Sequence, residues 1–582
     1  MAGLYLTRTA NRDVADERLA MAGRQYARHG FGEPAAIALP GWDVRHWGYA
    51  MGGPDTLLVA GDDLVAVAGT PTFAGKRGAP ALAALLAAFD HRRIDWESLG
   101  GQFSMLIRKA GRSFLFVDWF AAHQLHHDTA RDFFSTSLLA AAQSLPEVRF
   151  DAQGVYEFAF NVVPIGDDTV FAGIATLGPR VLVELTERGS MLHALDKRLP
   201  DAATDQPLPD RIAEHRAALS RVIDANVGHG DVVQCPLSGG IDSRLLLGAL
   251  RERGHRPHVY VYGDRDEDDV VFAQAIGRAA GFDVEWVDKD GAVSVTPDGF
   301  AERVATDFHG FDALPTFGNI FDNGGAAYAR DKRHAGGAPA ASGGCGEIWR
   351  DFFFLPDRPL SPRSVARSFF ARFDRRDATG RFDPHAFLER IERKVADALG
   401  VDDPAALLSR QWIEQAYPRV RCRSLFGREI SLESRLSPYI MPFLDHRVVA
   451  RAMTLPMPMK QAGRFEGKLL SAIDPLLAAQ PSAYGHSFDR PPGAAHVRAE
   501  WSARVRPTWL RQHSYAIQRR LRAMGDEHGG LLTPDYLGRV IDLEFPAMRQ
   551  FFAVERITDR AVYRRVAALE YLAAALGGRL AT

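Results

Sequence analysis

Up to about residue 200, short apolar runs alternate with turn residues along the chain. This spacing is typical of half-buried strands, and it predicts a strand-rich region with few helices. The clearest runs begin at Asp55, Leu64, Phe103 and Phe114. One helix is expected at residues 81–89, where Ala and Leu dominate and Pro80 precedes the segment, because proline suits the first turn of a helix.

From about residue 207 the periodicity changes to alternating strand-like and helix-like segments. Strands are predicted at 232–237, 258–262 and 282–287, and helices at 212–225, 244–253 and 270–280. Such alternation indicates an α/β fold class, with a parallel sheet and helices on both faces. We place a boundary in the Pro- and Asp-rich stretch 200–209. The expected domains are therefore 1–205, 206–495 and 496–582.

Three later segments are less regular. Residues 324–344 are rich in Gly and Ala with few large apolar side chains, so we predict a loop there. Amphipathic helices are predicted at 501–524 and 557–576, where arginines recur. We expect those arginines to form solvated helix faces rather than a partner site.

Composition narrows the class of protein. The chain has 582 residues, of which 46% are hydrophobic and 24% charged, as in soluble proteins of about two to four domains. Its net charge of −2 excludes the basic footprint of a nucleic-acid binder. The three cysteines, Cys235, Cys345 and Cys422, have no zinc or disulfide spacing. No signal peptide and no apolar run of about 18 residues is present, so we expect a cytoplasmic protein without a membrane partner.

The strongest chemical signal is the string Ser-Gly-Gly-Ile-Asp-Ser at 238–243, between a predicted strand and a predicted helix. Glycines allow close backbone approach to a phosphate, and N–H groups at a helix N-terminus attract anions. The predicted phosphate contacts are Ser238, Gly239, Gly240 and Ser243. Asp242 would be repelled by phosphate, so we predict that it binds Mg²⁺, which in turn binds phosphate oxygens.

At these residues the sequence resembles the pyrophosphatase-loop ATP enzymes, which cleave ATP between the α and β phosphates. The resemblance implies that the loop cradles the leaving pyrophosphate while a substrate carboxylate or carbonyl becomes adenylated. The loop alone leaves asparagine synthetase, GMP synthetase, NAD synthetase and tRNA-modifying relatives open. Near-neutral net charge disfavours the last of these.

Two further segments favour the asparagine-synthetase branch. Met-Pro-Phe-Leu-Asp at 441–445 is similar to the Val-Pro-Phe-Leu-Asp segment of that family, and Ser-Gly-Gly-Cys-Gly-Glu at 342–347 resembles its Ser-Gly-Glu-Gly-Ala-Asp. The resemblance implies that Gly343 lies near the nucleotide and that Glu347 replaces a metal-binding Asp, a change that keeps an oxygen ligand. The residues expected to flank adenosine are Leu237, Tyr262 and Gly263.

The N-terminal third is similar to the amidotransferase half of asparagine synthetases at 100–103, Asp118, 134–137 and 169–179. The resemblance implies an Ntn-amidotransferase-like α+β sandwich, then a doubly wound parallel-sheet synthetase domain of the adenine-nucleotide α-hydrolase type, then C-terminal helices. Glutamine-dependent members begin their mature chain with a nucleophilic Cys. Position 2 is Ala here, and no Cys precedes Cys235, so we expect no glutamine hydrolysis at that site.

Loss of that Cys also marks the β-lactam synthetases and the lasso-peptide cyclases. The former use a Tyr where this chain has Gly344, so the cyclases are the better match. They join a peptide's N-terminal amine to an Asp or Glu side chain, which implies a substrate with carboxylate and amine, ATP, Mg²⁺, and a leader-processing protease as partner. An ammonia-using asparagine synthetase and a non-catalytic ATP- or peptide-binding scaffold remain alternatives.

A cation is expected to stabilise the amide-forming step. Asparagine synthetases carry a Lys near the place where this chain has Asp489. The nearby candidates are Lys468, His486 and Arg490. Lys468 lies near another Lys of the family pattern, although a solvated helix lysine is an equally good interpretation. His486 is a candidate base for the amine, because histidine commonly accepts protons near neutral pH.

Overall fold

The computed structural model describes residues 3–289, 291, 293–521 and 529–581. Over these residues the fold is a mixed α/β arrangement of two six-stranded antiparallel sheets, one strand pair and one five-stranded parallel sheet. The predicted change from a strand-rich region to alternating strands and helices is confirmed, because all strands of the antiparallel sheets precede those of the parallel sheet. No helix in the described ranges combines the length and apolar character needed to cross a bilayer.

The strands are β1 Gly3–Arg8, β2 Ala35–Leu39, β3 Trp42–Trp47, β4 Leu57–Ala60, β5 Asp63–Phe73, β6 Leu99–Lys109, β7 Arg112–Val117, β8 His126–Asp128, β9 Phe133–Ser135, β10 Arg149–Phe150, β11 Phe171–Ala172, β12 Ile174–Thr176, β13 Val181–Thr186, β14 Gly189–Ala194, β15 Gln234–Pro236, β16 His258–Tyr262, β17 Val284–Val287, β18 Ala340–Ala341 and β19 Tyr439–Ile440.

The α-helices are α1 Arg12–Arg28, α2 Gly78–Ala88, α3 Leu138–Gln143, α4 Ala152–Asn161, α5 Leu208–Asn226, α6 Ile241–Glu252, α7 Asp268–Ala280, α8 Pro297–Gly310, α9 Gly325–His334, α10 Pro362–Phe369, α11 Pro384–Leu399, α12 Arg410–Glu414, α13 Gly427–Glu433, α14 His446–Met453, α15 Met457–Lys460, α16 Arg464–Ile473, α17 Pro475–Ala478, α18 Ala494–Arg504, α19 Thr508–Leu521, α20 Pro534–Leu537 and α21 Arg560–Leu576. A π-helix spans Tyr417–Phe426, and 3₁₀ turns include Gly346–Trp349 and Pro442–Leu444.

The two large antiparallel sheets pack face to face. Their strand orders are β12-β8-β9-β1-β3-β2 and β14-β13-β7-β6-β5-β4. Leu6 of the first sheet and Leu106 of the second belong to one buried core, whereas Val65 and Val67 point the other way and join Leu82 of α2 in a second core. This alternation along β5 is the two-residue period of a strand buried on both faces.

Helix α1 covers the outer face of the first sheet and was not predicted from the sequence. Its Tyr26 stacks on Trp47 with ring centroids 4.0 Å apart and donates a hydrogen bond to the Leu4 carbonyl at 2.9 Å. The side chain of Asn11 caps its N-terminus. Many charged residues interrupt the apolar periodicity of Arg12–Arg28. In the sequence, only the Asn11 cap and Tyr26 therefore indicate this helix.

The parallel sheet has the order β17-β16-β15-β18-β19. The chain runs from β15 through α6 to β16 and through α7 to β17, as the alternation of predicted strands and helices requires. Later crossovers place β18 and β19 on the other side of β15. The direction of strand order therefore reverses at β15, which is a place where open α/β sheets bind ligands.

Two segment predictions were wrong. The Gly- and Ala-rich stretch 324–344 contains α9 and β18 rather than a loop alone, because Asp322 accepts hydrogen bonds from the Gly324 and Ala326 N–H groups and starts a helix. The single helix predicted at 501–524 is two helices, α18 and α19, separated at Pro507, whose ring is incompatible with a helix interior. Residues 522–524 lie outside the described residues.

Candidate functional site

The predicted motifs meet at one edge of the parallel sheet. The phosphate loop follows β15, the segment 342–347 follows β18, the segment 441–445 follows β19, and Gly263 follows β16. Parallel strands present their carboxyl ends at the same edge, so residues far apart in sequence become neighbours there. The first two motifs follow strands that are directly paired.

The phosphate loop is closed by its own serines. The Ser238 N–H donates to Ser243 Oγ at 3.0 Å, and the two hydroxyls are 2.9 Å apart. The Gly239 N–H donates to Asp269 at 2.8 Å, and Gly240 is the N-cap of α6. The first N–H groups of a helix have no partner within the helix. The N–H groups of Ser238, Gly239 and Gly240 thus donate to Ser243, Asp269 and Ser238, and an anion bound by the loop would replace these contacts or use the first N–H groups of α6.

Arg244 connects the phosphate loop to the segment that contains Gln480 and Pro481. It is buried and donates to the carbonyl oxygens of Gly239, Gln480 and Pro481 at 3.2, 2.9 and 2.6 Å. Burial lowers the pKa of Arg244 to about 10, so it remains charged at neutral pH. The segment that bears His486 is therefore held against the phosphate loop.

The segment 342–347 packs directly against Asp242. A methyl group on Gly343 would lie 3.0 Å from the Asp242 carbonyl oxygen, and one on Gly346 only 2.0 Å from its Oδ1. Such separations are too short for any side chain at Gly346. The glycines therefore bring Glu347 and Asp242 into one cluster, as the family resemblance implies.

Arg350 lies among three carboxylates. Its Nη2 is 2.5 Å from Asp242 Oδ2 and 3.5 Å from Glu347 Oε1, and its Nε is 3.2 Å from Glu466 Oε2. Burial opposes ionisation of Arg350, but the charges of its carboxylate neighbours raise its pKa well above the usual value. Arg350 and Glu466 were not predicted, although each lies within three residues of a predicted site residue.

Glu466 is the most deeply buried of these carboxylates, with no exposed surface. Burial, and next the charge of Asp242, raise the pKa of Glu466 well above its usual range. Burial also raises the pKa of Asp242, whereas Arg350 lowers it. Burial thus raises the pKa of both neighbouring carboxyls, and the positive charge of Arg350 opposes that rise.

A tyrosine reaches Glu347 from a distant part of the chain. Tyr417 begins the π-helix and donates its hydroxyl to Glu347 Oε2 at 2.5 Å. Burial raises the pKa of Tyr417 well above its usual value, so the phenol stays a donor. No sequence signal pointed to this residue. A methyl group on Gly344 would lie 2.7 Å from the Phe426 ring, so that position is closed to a larger side chain.

A cavity of about 1310 Å³ opens beside this cluster. Glu347 and Arg350 line it together with all three predicted catalytic candidates, Lys468, His486 and Arg490. Lys468 and Arg490 are exposed and His486 is half-buried, with its Nδ1 3.1 Å from the Tyr484 carbonyl oxygen. The structure thus brings the predicted cations and the predicted metal ligand Glu347 to one space.

The residues predicted to flank adenosine lie along the sheet edge instead. Leu237 is buried directly after β15 and donates its N–H to the Tyr260 carbonyl, and Trp286 donates to the Gly263 carbonyl at 2.9 Å. Tyr262 is half-buried, with Lys289 Nζ 5.1 Å from its ring centroid. None of the four candidates, Leu237, Tyr262, Gly263 and Gly343, lines the cavity described above.

The residues of the segment 441–445 make structural contacts. Asp445 caps α14 by accepting from the Arg447 N–H at 3.0 Å and forms a paired contact with the Arg447 guanidinium. Phe443 packs on Trp349, with ring centroids 4.9 Å apart. This segment therefore supports the helical turn that follows Glu347.

The donor set fits one metal of the magnesium type. No group of three His, Cys, Asp or Glu side chains in the described parts of the chain has the geometry of a metal site. Mg²⁺ usually needs only one or two protein carboxylates, with phosphate oxygens and water completing its shell. Asp242 Oδ1 is buried and has no hydrogen-bond partner among the described residues, and Glu347 adjoins it through Arg350.

Ala2, which stands where the nucleophilic Cys was expected to be lost, lies outside the described residues.

No protein-family model matches the chain, and no curated protein matches it either. A similar solved structure is glutamine phosphoribosylpyrophosphate amidotransferase from B. subtilis complexed with ADP and GMP, with 10% identity over 49% of this chain and 66% of that chain and a TM-score of 0.23. Another is the allosteric regulatory enzyme of purine biosynthesis, with 11% identity over 51% and 82% and a TM-score of 0.24. Similarity at this level supports no inference about activity.

Proposed function

We propose that the chain is an ATP-dependent C–N ligase that adenylates a carboxylate, releases pyrophosphate and joins the acyl group to an amine. The most specific form of the proposal is a lasso-peptide cyclase, which forms an isopeptide macrolactam between a peptide's N-terminus and an Asp or Glu side chain. The main support is the position of the phosphate loop and Glu347 after two paired parallel strands, beside a large cavity.

In this proposal the phosphates bind at Ser238, Gly239, Gly240 and Ser243. Asp242 and Glu347 would hold Mg²⁺, which neutralises negative charge on the phosphate oxygens. Arg350 touches both carboxylates, so its charge is available to the same oxygens. The loop and cluster thus supply donors, metal ligands and a cation within one group of contacts.

The chemistry has two displacement steps. A substrate carboxylate oxygen attacks the α-phosphorus of ATP, and the bond to the β-phosphate oxygen breaks to release pyrophosphate. The substrate amine then attacks the acyl carbon, and the acyl–oxygen bond breaks to release AMP. In the proposal His486 accepts the amine proton, while Lys468 and Arg490 supply positive charge for the oxyanion; all three line the cavity.

The size of the cavity favours a peptide over free aspartate. About 1310 Å³ exceeds the roughly 300–1,000 Å³ that drug-sized ligands occupy. A peptide carries its amine and carboxylate in one molecule, so the amine has a high effective concentration without free ammonia.

The division into an amidotransferase-like scaffold at 1–205, a synthetase domain at 206–495 and a helical extension at 496–582 belongs to this proposal. The stretch without strand or helix between β14 and α5 supports the first boundary. Helix α18 starts close to the second boundary.

The first test uses purified protein with ATP, Mg²⁺, aspartate and ammonium, with AMP and asparagine measured by mass spectrometry. Asparagine formation would identify an ammonia-using synthetase and exclude the cyclase. If no asparagine forms and the protein binds ATP, candidate acidic precursor peptides are tested next. The proposal expects AMP, pyrophosphate and a peptide product lighter by one water.

The Asp242→Ala variant should form neither AMP nor pyrophosphate, and continued formation of both would contradict the scheme. ATP binding without turnover of any peptide would instead favour a scaffold.

Turnover of the Lys468→Ala variant tests that residue separately. The proposal expects slower amide formation with adenylation retained, because the cation serves the second step. Full turnover would remove Lys468 from the mechanism and leave Arg490 and His486 as candidates.

A further inference from the structure

Two of the arginines that line the cavity share one aromatic ring and have no hydrogen-bond or ion-pair partner among the described residues. Arg372 and Arg421 both line it, and both lie over the ring of Phe369, with guanidinium carbons 4.5 and 5.4 Å from the ring centroid. No hydrogen bond or ion pair joins either guanidinium to another residue in the described part of the chain. They therefore form a pair of like charges on an aromatic surface, in which the charge of Glu347 partly offsets the burial of Arg421.

Other arginines of the same cavity are satisfied by protein groups. Arg350 contacts Asp242, Arg464 donates to the Pro458 carbonyl at 3.2 Å, and Arg511 donates to the Phe353 carbonyl at 2.9 Å. The contrast matters because arginine is charged at all ordinary pH values and its fork of donors matches a carboxylate. Arg490 also lines the cavity without a hydrogen-bond or ion-pair partner among the described residues, so what distinguishes Arg372 and Arg421 is that both lie over the ring of Phe369.

The two like charges disfavour each other, although solvent reaches both: Arg372 is exposed and Arg421 is half-buried. Burial lowers the pKa of Arg372, and the charge of Arg421 lowers it further. Burial likewise lowers the pKa of Arg421. An anion placed between the two guanidinium groups would offset both burial and mutual repulsion.

The pair is separated from the proposed reaction centre by aromatic side chains. The Tyr417 ring, whose hydroxyl contacts Glu347, is 4.4 Å from the Phe352 ring. The Phe352 ring is in turn 5.0 Å from that of Phe369. Arg421 also lies near enough to Glu347 for that carboxylate to raise its pKa, so a group bound by the arginines is next to the group activated at Glu347, and one extended molecule can reach both.

We propose that Arg372, Arg421 and Phe369 form a recognition subsite for a second carboxylate of an acidic peptide substrate, apart from the carboxylate that is adenylated. This inference rests on the proposed function for the identity of the reaction, but the subsite itself is defined by its own contacts. It makes the enzyme selective for peptides with two acidic groups. Phe352 and Phe369 form an apolar part of the cavity wall, which favours an apolar peptide residue between the two acidic groups.

The test is a binding measurement that needs no turnover. Two fluorescein-labelled hexapeptides are compared by anisotropy, one alternating Phe with Glu and the other alternating Phe with Gln. Wild-type protein should bind the Glu peptide at least about ten-fold more tightly, as expected for charge-assisted hydrogen bonds. The double variant Arg372→Gln/Arg421→Gln should bind both peptides equally, whereas Arg464→Gln should keep the preference.

The conservative double variant Arg372→Lys/Arg421→Lys guards against misfolding, because it should retain part of the preference at an unchanged Tm. Three results would overturn the subsite: equal binding of the two peptides by wild-type protein, no binding of either peptide, or a preference that survives in the Gln double variant.

ATP affinity is measured in parallel. Weaker ATP binding by the Gln variant would assign the pair to the nucleotide and overturn the inference, while unchanged ATP binding with lost peptide preference supports it. Failure of adenylation with the preference intact would refute only the proposed function.

Discussion

The guanidinium of Arg350 lies 2.5 Å from the carboxylate of Asp242, the residue that the sequence predicts as a magnesium ligand. The same guanidinium also contacts Glu347 and Glu466. A divalent cation held by Asp242 and Glu347 would compete with Arg350 for these carboxylates. Metal affinity and the position of Arg350 are therefore linked.

Replacing Arg350 with Gln should increase the affinity of nucleotide-free protein for Mn²⁺ by about ten-fold or more, because the carboxylates lose the cation that contacts all three of them. Titration with Mn²⁺ followed by electron paramagnetic resonance measures this directly. Tm without metal should fall, and Mg²⁺ should restore it. Arg464→Gln, in the same cavity but bound to a carbonyl, is the control; if both variants bind Mn²⁺ like wild type, the linkage is wrong.

Glu466→Gln should make the protein more stable at alkaline pH. Burial and the Asp242 charge raise the pKa of Glu466 in the folded protein, so the native state binds more protons than the unfolded chain. Stability is then greatest below the unfolded pKa of about 4.3 and is lost as pH rises towards the folded pKa. The variant should gain a few degrees of Tm near pH 8 and little near pH 4.

The corresponding measurement is Tm by scanning fluorimetry across this pH range. Glu389→Gln, at an exposed position of α11, supplies the matched control and should follow the wild-type profile. A Glu466→Gln profile parallel to wild type would show that Glu466 is ionised and compensated in the folded state.

Local sequence was enough to predict the parts that local interactions determine. The phosphate loop between β15 and α6, the strand at His258–Tyr262 and the helix around residue 270 follow from short apolar runs and glycines. The location of Glu347 came from a short motif, and its approach to Asp242 follows from Gly343 and Gly346, which pack directly against Asp242. These elements need few contacts from elsewhere.

Other parts of the site depend on distant segments. Tyr417 reaches Glu347 because a π-helix aims it there, and nothing near Tyr417 in sequence indicates that contact. Arg350 and Glu466 meet only after α16 packs beside α6. Helix α9 was missed because Asp322 starts it from outside the Gly- and Ala-rich stretch.

Arg244→Met should destabilise the protein by about 2–4 kcal/mol, because the buried Gly239 carbonyl and the part-buried Gln480 and Pro481 carbonyls lose a charged donor. It should also weaken ATP binding, since Gly239 is no longer held against Gln480 and Pro481. Urea unfolding and nucleotide titration measure the two effects. Arg251→Met, on the same helix but in a partly exposed pair with Asp474, should cost no more than about 1 kcal/mol. Equal losses in the two variants would contradict the role given to Arg244.

Gly346→Ala tests whether the two motifs must touch. The added methyl group would lie 2.0 Å from Asp242 Oδ1, so either Asp242 or the segment 342–347 has to move. Displacement of a reacting group by about 1 Å can reduce the rate roughly 100-fold, and AMP formation by the variant should fall by that order while the fold persists. The measurement is AMP release with an accepted peptide, with circular dichroism as the check on folding. Gly380→Ala introduces a methyl group with nothing within 4 Å and should keep full activity. A Gly346→Ala enzyme as fast as the Gly380→Ala enzyme would show that Asp242 does not need its position beside this glycine, and the metal-binding role proposed for Asp242 would have to be withdrawn.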